Sequence, residues 1–187
     1  MRVVLASRSP QRREILERLG VAFEVVVPEV EEVGEGDPEA AVLESAGRKA
    51  RAVSAPGALV LGCDTEVVVA GRVLGKPADE NQAHRYLELL SGRSHAVLSG
   101  LALLGPQPEE LRQGVATSAV TFRELTAEEI ERYLRSGEWR ERAGGYAVQG
   151  LGSTLVERIE GDVSNVIGLP VALLLELAPE LLDGWCE

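Results

Sequence analysis

Apolar residues along this chain fall into short runs separated by polar, glycine and proline punctuation. Val3-Val4-Leu5 is a continuous apolar run of the kind a buried strand shows. Ser9-Pro10 then predicts a helix start, because serine suits the N-cap and proline at the first helical position has no N–H to leave unpaired. Ile15, Leu16 and Leu19 form its apolar face and Gly20 ends it. Phe23 to Val27 alternates and predicts a second strand stopped by Pro28, followed by the acidic stretch Glu29-Val30-Glu31-Glu32. Asp37-Pro38 opens a second helix with small packing positions at Ala41, Ser45, Ala46 and Ala50, and Ala55 to Gly57 is a break.

Leu59-Val60-Leu61-Gly62-Cys63-Asp64 predicts a buried strand with a carboxylate at its end. Thr65 to Ala70 continues as a β-branched run, Gly71-Arg72 reads as a hairpin turn, and Val73-Leu74 returns. Asp79 caps a helix running to Leu90, Ser91-Gly92-Arg93 turns, and a long strand covers His95 to Leu104. A loop at Gly105-Pro106-Gln107-Pro108 precedes a strand from Val115 to Phe122. Thr126-Ala127-Glu128-Glu129 has capping-box spacing ahead of a helix to Leu134. Gly144 to Gly152 is a glycine-rich turn, Thr154 to Ile159 a strand, and Pro170 to Leu182 a terminal helix. Strands interleaved with helices in this order predict one α/β domain over residues 1–187, a mixed twisted sheet with flanking helices.

Composition narrows the partners. The formal net charge of −11 argues against a polynucleotide surface, which needs many cations to neutralise phosphates, yet leaves room for one small polyanion. Cys63 and Cys186 are too few for a disulfide framework, and His84 and His95 lie on different predicted elements, so zinc spacing is lacking. The apolar start is too short for a signal peptide, and no run approaches the ~20 apolar residues that span a bilayer. The expectation is a cytoplasmic protein with no membrane partner.

Four constellations could carry chemistry. Ser7-Arg8-Ser9-Pro10-Gln11-Arg12-Arg13 sets a helix N-terminus after a strand, where unpaired N–H groups, hydroxyls and arginine forks suit a phosphate; an ordinary capped helix with surface arginines accounts for it equally. Glu29, Glu31, Glu32 and Asp64 offer hard oxygen ligands for Mg²⁺ or Mn²⁺. Asp64 has the stronger claim, at a buried strand's end, against a plain cap on Thr65; the glutamates also fit a solvated loop. Lys76 in Gly75-Lys76-Pro77 is held extended by the proline and reaches for a phosphate or simply for solvent. Lys49, mid-helix among small residues, sits where a helix approaches either a ligand or a neighbouring element. In Gly144-Gly145-Tyr146-Ala147-Val148-Gln149-Gly150, Gln149 could read a base edge or sit exposed on a tight turn. His84 and His95 read as surface or packed residues.

In order, Leu5-Ala6-Ser7-x-Ser9-Pro10, Val30-Glu31-Glu32, Lys49-Ala50, Asp64-Thr65, Gly75-Lys76-Pro77, Leu90-Ser91-Gly92, Tyr146 to Gly152 and Gly168-Leu169-Pro170 resemble the Maf family from about residue 3 to about residue 180. The resemblance implies a fold like that of the inosine triphosphate pyrophosphatases, two lobes around a central cleft, commonly as a homodimer. It implies hydrolysis of a nucleoside triphosphate to the monophosphate and pyrophosphate with a divalent metal. Carried over by motif, Ser7 and Arg12 contact the triphosphate, with Arg13, Lys49 and Lys76 assisting. Glu32 and Asp64 organise metal and water, Asp64 taking the proton, and Thr65 and Gln149 set base choice. Gln149 resembles the branch that favours dTTP and UTP; another branch carries an acidic residue there and prefers 7-methylguanosine triphosphate. The family usually has two arginines after Ser-Pro; here the first is Gln11, and Arg12 takes the main electrostatic role. A nucleotidyltransferase and a non-catalytic nucleotide sensor or division regulator are the rival readings, the first needing an acceptor and the second binding without turnover.

Overall fold

The computed structural model describes residues 1–30, 36–105 and 110–182. In chain order the first elements are β1 (Val3–Ala6), α1 (Pro10–Arg18), β2 (Phe23–Val25), α2 (Pro38–Arg51), β3 (Leu59–Val69) and β4 (Arg72–Leu74). Then come α3 (Glu80–Leu90), β5 (Ser94–Leu104), β6 (Leu111–Phe122), α4 (Ala127–Ser136), β7 (Val156–Glu160), α5 (Val163–Ile167) and α6 (Val171–Leu177). The strands form one seven-stranded sheet in the order β2-β1-β3-β5-β6-β7, with β4 paired to β3 off this path. β1 runs parallel to β2 and β3, whereas β4 is antiparallel to β3 and β7 to β6, so the sheet is mixed as expected.

The chain divides into two compact units. The first comprises residues 1–64, 99–116 and 168–187, and the second residues 65–98 and 117–167. In the first unit Val4, Leu5, Ala6, Leu59, Leu61 and Leu101 are almost wholly buried, which is why their sequence runs are continuously apolar. α2 lies very close to this sheet: a Cβ on Gly62 would stand 2.2 Å from the Ala46 carbonyl oxygen, and one on Gly100 2.2 Å from that of Val42. Ala41, Ala46 and Ala50 supply the matching small side chains on the helix. The Asp37 side chain caps α2 by accepting from the Ala40 N–H at 3.2 Å.

In the second unit the core gathers Val67, Leu87, Leu90, Phe122, Ile130, Tyr133, Trp139, Tyr146 and Leu155. α4 starts with the expected capping box, Thr126 and Glu129 exchanging side-chain and backbone bonds, and ends at Gly137 in the left-handed region (φ 74°). The β3–β4 hairpin turns through Ala70 and Gly71, both at positive φ (48° and 74°), as a tight primed turn requires.

Several boundaries differ from the pattern-based expectation. β2 stops at Val25, although the Val26 N–H still donates to the Leu5 carbonyl at 3.1 Å. β6 begins at Leu111 rather than Val115, and β7 at Val156, because residues 150–155 form a 3₁₀ helix. The terminal helix covers only Val171–Leu177: Ala178 precedes Pro179, which drives it out of helical geometry (φ −144°, ψ 67°). A short 3₁₀ turn over Pro179–Leu182 follows. α5 was not expected. Asp162 holds its start by accepting from the Ser164 N–H at 2.8 Å, and the buried Asn165 amide donates to the Val97 carbonyl and the Ser118 hydroxyl, both at 3.0 Å. Among the described residues no helix is long and apolar enough to cross a membrane.

His95, on β5, is a packed residue, 4% exposed. Its Nε2 lies 2.8 Å from the Tyr146 hydroxyl, and its ring meets Phe122 and Tyr146 edge-on at centroid separations of 5.0 and 5.4 Å. Burial disfavours the imidazolium and lowers the pKa from 6.5 to about 4. The native imidazole therefore stays neutral where the unfolded chain's imidazole is protonated. This contribution to stability is complete above about pH 6.5 and drains away as pH falls towards about 4. The shift corresponds to about 3 kcal/mol. Urea midpoints measured from about pH 7 down to about pH 5 should fall, and His95→Gln should flatten that slope. An unchanged slope in the variant would remove His95 as its source.

Candidate active site

In the first unit, β1 ends at Ala6 and hands the chain to Ser7, which is buried. The Ser7 Oγ accepts two hydrogen bonds, from the Ser9 N–H at 3.1 Å and from the Arg12 guanidinium at 3.1 Å. Both acceptances use lone pairs, so the hydroxyl hydrogen is left to donate. Ser9 occupies the N-cap with extended geometry (φ −67°, ψ 119°), as expected, but its side chain makes no capping bond and its Oγ sits 3.1 Å from Gln11 Oε1. Pro10 holds the first helical position. This loop combines a helix N-terminus, a hydroxyl donor and a buried guanidinium, which together favour a bound anion.

Arg12 is only 8% exposed. Besides Ser7, its Nε donates to the Gly168 carbonyl at 2.9 Å, and the Cys63 Sγ lies 3.5 Å from that same oxygen. One carbonyl thus ties the N-terminal loop to β3 one residue before Asp64. Arg13 is placed differently: it is exposed and pairs with Glu17 at 2.7 Å on the surface of α1, so it does not join this cluster.

Asp64 and Lys49 meet. Lys49 Nζ lies 2.6 Å from Asp64 Oδ1, with side chains 10% and 6% exposed. Of the two alternatives for Lys49 the structure shows the neighbouring element, since the close approach of α2 through Gly62 lets a mid-helix lysine reach β3. Asp64 does not end its strand, because the β-branched run Thr65 to Val69 carries β3 onward. It stands instead just past the last β1–β3 pair, Ala6 with Gly62. Glu31 and Glu32 lie outside the described residues, and Glu29 is exposed.

Thr65, Lys76 and Gln149 belong to the second unit. Thr65 is half-buried on β3. Lys76 is exposed, its Nζ 3.9 Å from the Glu141 carboxylate. The Gly75 carbonyl accepts the Gly144 N–H at 3.1 Å, which ties the lysine's loop to the start of the glycine-rich segment. Gln149 is exposed on that segment, immediately before the 3₁₀ helix of residues 150–155. Tyr133 and Tyr146 lie in the core of this unit, and burial raises both phenol pKa values, Tyr133 to about 12.

Sequence reasoning gave no role to Gly168, Tyr133 or Glu138. Gly168-Leu169-Pro170 stands among the motifs of the family resemblance, but the use of the Gly168 carbonyl by Arg12 is a contact across 156 positions that no local pattern displays. Glu138 accepts the Leu151 and Gly152 N–H groups, both at 3.0 Å, and likewise belongs to no local motif.

Among the described residues no three His, Cys, Asp or Glu side chains come together as a metal-holding set. The carboxylate at Asp64 is nevertheless a hard oxygen donor of the type Mg²⁺ takes, and this cation commonly uses one or two carboxylates together with a ligand's phosphates.

Fold and cluster together define an α/β protein whose β1–α1 loop holds a serine hydroxyl on a buried guanidinium, and whose α2 and β3 hold a buried lysine–aspartate pair. Residues 2–181 match the family described as Maf-like protein, and the chain belongs to that family. It is 49% identical to the Deinococcus radiodurans protein named dTTP/UTP pyrophosphatase, over 94% of this chain and 91% of that one. Proteins of the same name from Moorella thermoacetica (49% identical; 94% of this chain, 93% of the relative) and Thermococcus gammatolerans (47%; 94% and 94%) are similar. The solved structure of the Staphylococcus aureus Ham1 protein aligns with a TM-score of 0.44 and 17% identity, over 65% of this chain and 72% of that one.

Proposed function

We infer that this chain hydrolyses dTTP and UTP to the nucleoside monophosphate and pyrophosphate. The observation that carries the reading is the buried Lys49–Asp64 pair, 2.6 Å apart, in a chain 49% identical to a protein named for that activity. Ser7 donates its hydroxyl hydrogen to a phosphate oxygen, and Arg12 holds Ser7 in place while adding positive charge. Lys49 orients the Asp64 carboxylate, which takes a proton from the attacking water. The water oxygen bonds to the α-phosphorus, the bond from that phosphorus to the bridging oxygen breaks, and pyrophosphate departs with the electron pair. Lys76 stabilises the charge on that leaving group, Thr65 and Gln149 contact the nucleoside, and Gln149 hydrogen-bonds the pyrimidine edge.

The reading includes a divalent cation, Mg²⁺ or Mn²⁺, held by Asp64 and the substrate's phosphate oxygens. When bound, it supplies charge neutralisation to the triphosphate. It also places the activity in the cytoplasm, in a homodimer.

The test is product identity. Purified protein with Mg²⁺ or Mn²⁺ is given a panel of standard and modified triphosphates, and the products are resolved. Monophosphate plus pyrophosphate, fastest from dTTP and UTP, is the expected result. Diphosphate plus phosphate would overturn attack at the α-phosphorus, turnover only with an added acceptor would mark a transferase, and binding without turnover would leave a sensor.

A further inference from the structure

The segment carrying Gln149 is fastened at both ends by one neighbouring stretch of chain, α4 and the turn after it. At its start the Ala147 N–H donates to the Tyr133 hydroxyl at 3.0 Å, and Tyr133 is buried in the core on α4. At its end the two oxygens of Glu138 accept separately, Oε1 from the Leu151 N–H and Oε2 from the Gly152 N–H, each at 3.0 Å. Such two-oxygen acceptance by a carboxylate fixes position as well as direction. The Glu138 segment is itself anchored: its own N–H donates to Ser136 Oγ at 3.1 Å, and the Trp139 indole N–H donates to the Leu134 carbonyl at 3.1 Å.

The two ends of the segment also touch. A Cβ on Gly152 would fall 1.7 Å from the Ala147 carbonyl oxygen, so the backbones at 147 and 152 pass in direct contact. Residues 147–152 therefore form a closed loop with Gln149 inside it. Gly150 follows at φ +64°, and a Cβ there would stand 2.6 Å from Glu138 Oε1. An exposed glutamine side chain has several rotatable bonds and selects poorly unless its backbone is fixed. Here the backbone is fixed from three N–H groups.

We propose that Tyr133 and Glu138 are positioning residues that set base selectivity by clamping the Ala147–Gly152 loop under Gln149. The proposal rests on the reading of Gln149 as the group that contacts the base. Neither residue touches substrate. Their effect is on where the Gln149 amide points, so it should appear in KM and in selectivity rather than in the chemical step.

The experiment compares Tyr133→Phe, Glu138→Gln, Gln149→Ala and the double variant Glu138→Gln/Gln149→Ala, with kcat and KM measured for dTTP, UTP and dGTP. Tyr133→Phe removes one acceptor and keeps the ring; Glu138→Gln keeps the shape but turns an amide NH₂ towards one of the two N–H donors. Each single clamp variant should lower the dTTP-to-dGTP ratio of kcat/KM, up to roughly tenfold, the size of one hydrogen bond, through KM for dTTP. The kcat should stay within about twofold of the parent. The double variant should be no less selective than Gln149→Ala alone, because the clamp acts through that side chain.

If Gln149→Ala loses selectivity while Tyr133→Phe and Glu138→Gln keep it, the clamp is overturned and the base reader stands. If Gln149→Ala keeps the parent ratio, the base-reading role itself fails, and the clamp with it. Clamp variants that lower kcat equally for all three triphosphates would mark a purely structural role and overturn the proposal. Should Glu138→Gln not fold, Tyr133→Phe decides alone.

Discussion

Asp64→Asn is expected to lower kcat by about 10²–10³, with the fold retained. On the proposed mechanism the substitution removes the proton acceptor; it also removes the negative charge but little volume, and the amide oxygen can still accept from Lys49. The pair it disturbs is almost dry, with Lys49 Nζ 2.6 Å from Asp64 Oδ1. Truncation to Ala is a harsher change, because it strands a buried ammonium without its counter-charge. Such half-removed pairs typically cost about 3–5 kcal/mol. Asp64→Ala should therefore lose stability as well as turnover, and adding Lys49→Met should restore much of the stability without restoring activity. Pyrophosphate release and urea midpoints measured on the same four proteins separate the two effects. A kcat near the parent's in Asp64→Asn would remove Asp64 from the chemistry.

Gly62→Ala is expected to lower both stability and turnover. The new Cβ would stand 2.2 Å from the Ala46 carbonyl oxygen and 2.8 Å from the Ala50 nitrogen. Both are backbone atoms of α2, so no side chain can rotate out of the way, and the helix must move outward along that face. Overpacking in a filled interior costs about 1–3 kcal/mol and more where nothing yields. The displacement also has a chemical effect. Lys49 lies on α2 between the two atoms struck, so an outward shift draws its ammonium off Asp64. The urea midpoint and kcat should both fall, whereas a loss of packing alone would lower only the first. A variant with both values unchanged would show that α2 does not need the bare backbone at Gly62.

The sheet, most helices and the polar residues of the first unit were legible because each is announced locally. Val3 to Leu5 and Leu59 to Leu61 are unbroken apolar runs, and Asp37, Asp79 and Thr126 all cap the helices they were expected to start. The small residues around Lys49 read two ways because spacing says that something comes close without saying what. What stayed illegible depends on partners far along the chain. α5 has only five residues, and the two donors that seat Asn165 reach to Val97 and Ser118. Ser9 shows the limit of local rules from the other side, since it holds the N-cap position without making the capping bond. Arg12 and Arg13 are adjacent in sequence and look equivalent there. Helical rotation sends one inward to Ser7 and Gly168 and the other outward to Glu17.

The bond from Arg12 to the Gly168 carbonyl closes a loop of almost the whole chain, the two residues being 156 positions apart. Loop closure of that span has a large but slowly growing entropic cost, and contacts of such range form late. During synthesis Ser7 and Arg12 leave the ribosome early, then wait for the stretch around Gly168 before the guanidinium has its full set of acceptors. Until then a cationic loop and the strand bearing Asp64 share a nascent chain without the carbonyl that links them. The Arg12 guanidinium thus gains its Gly168 acceptor only once the turn before α6 has been made.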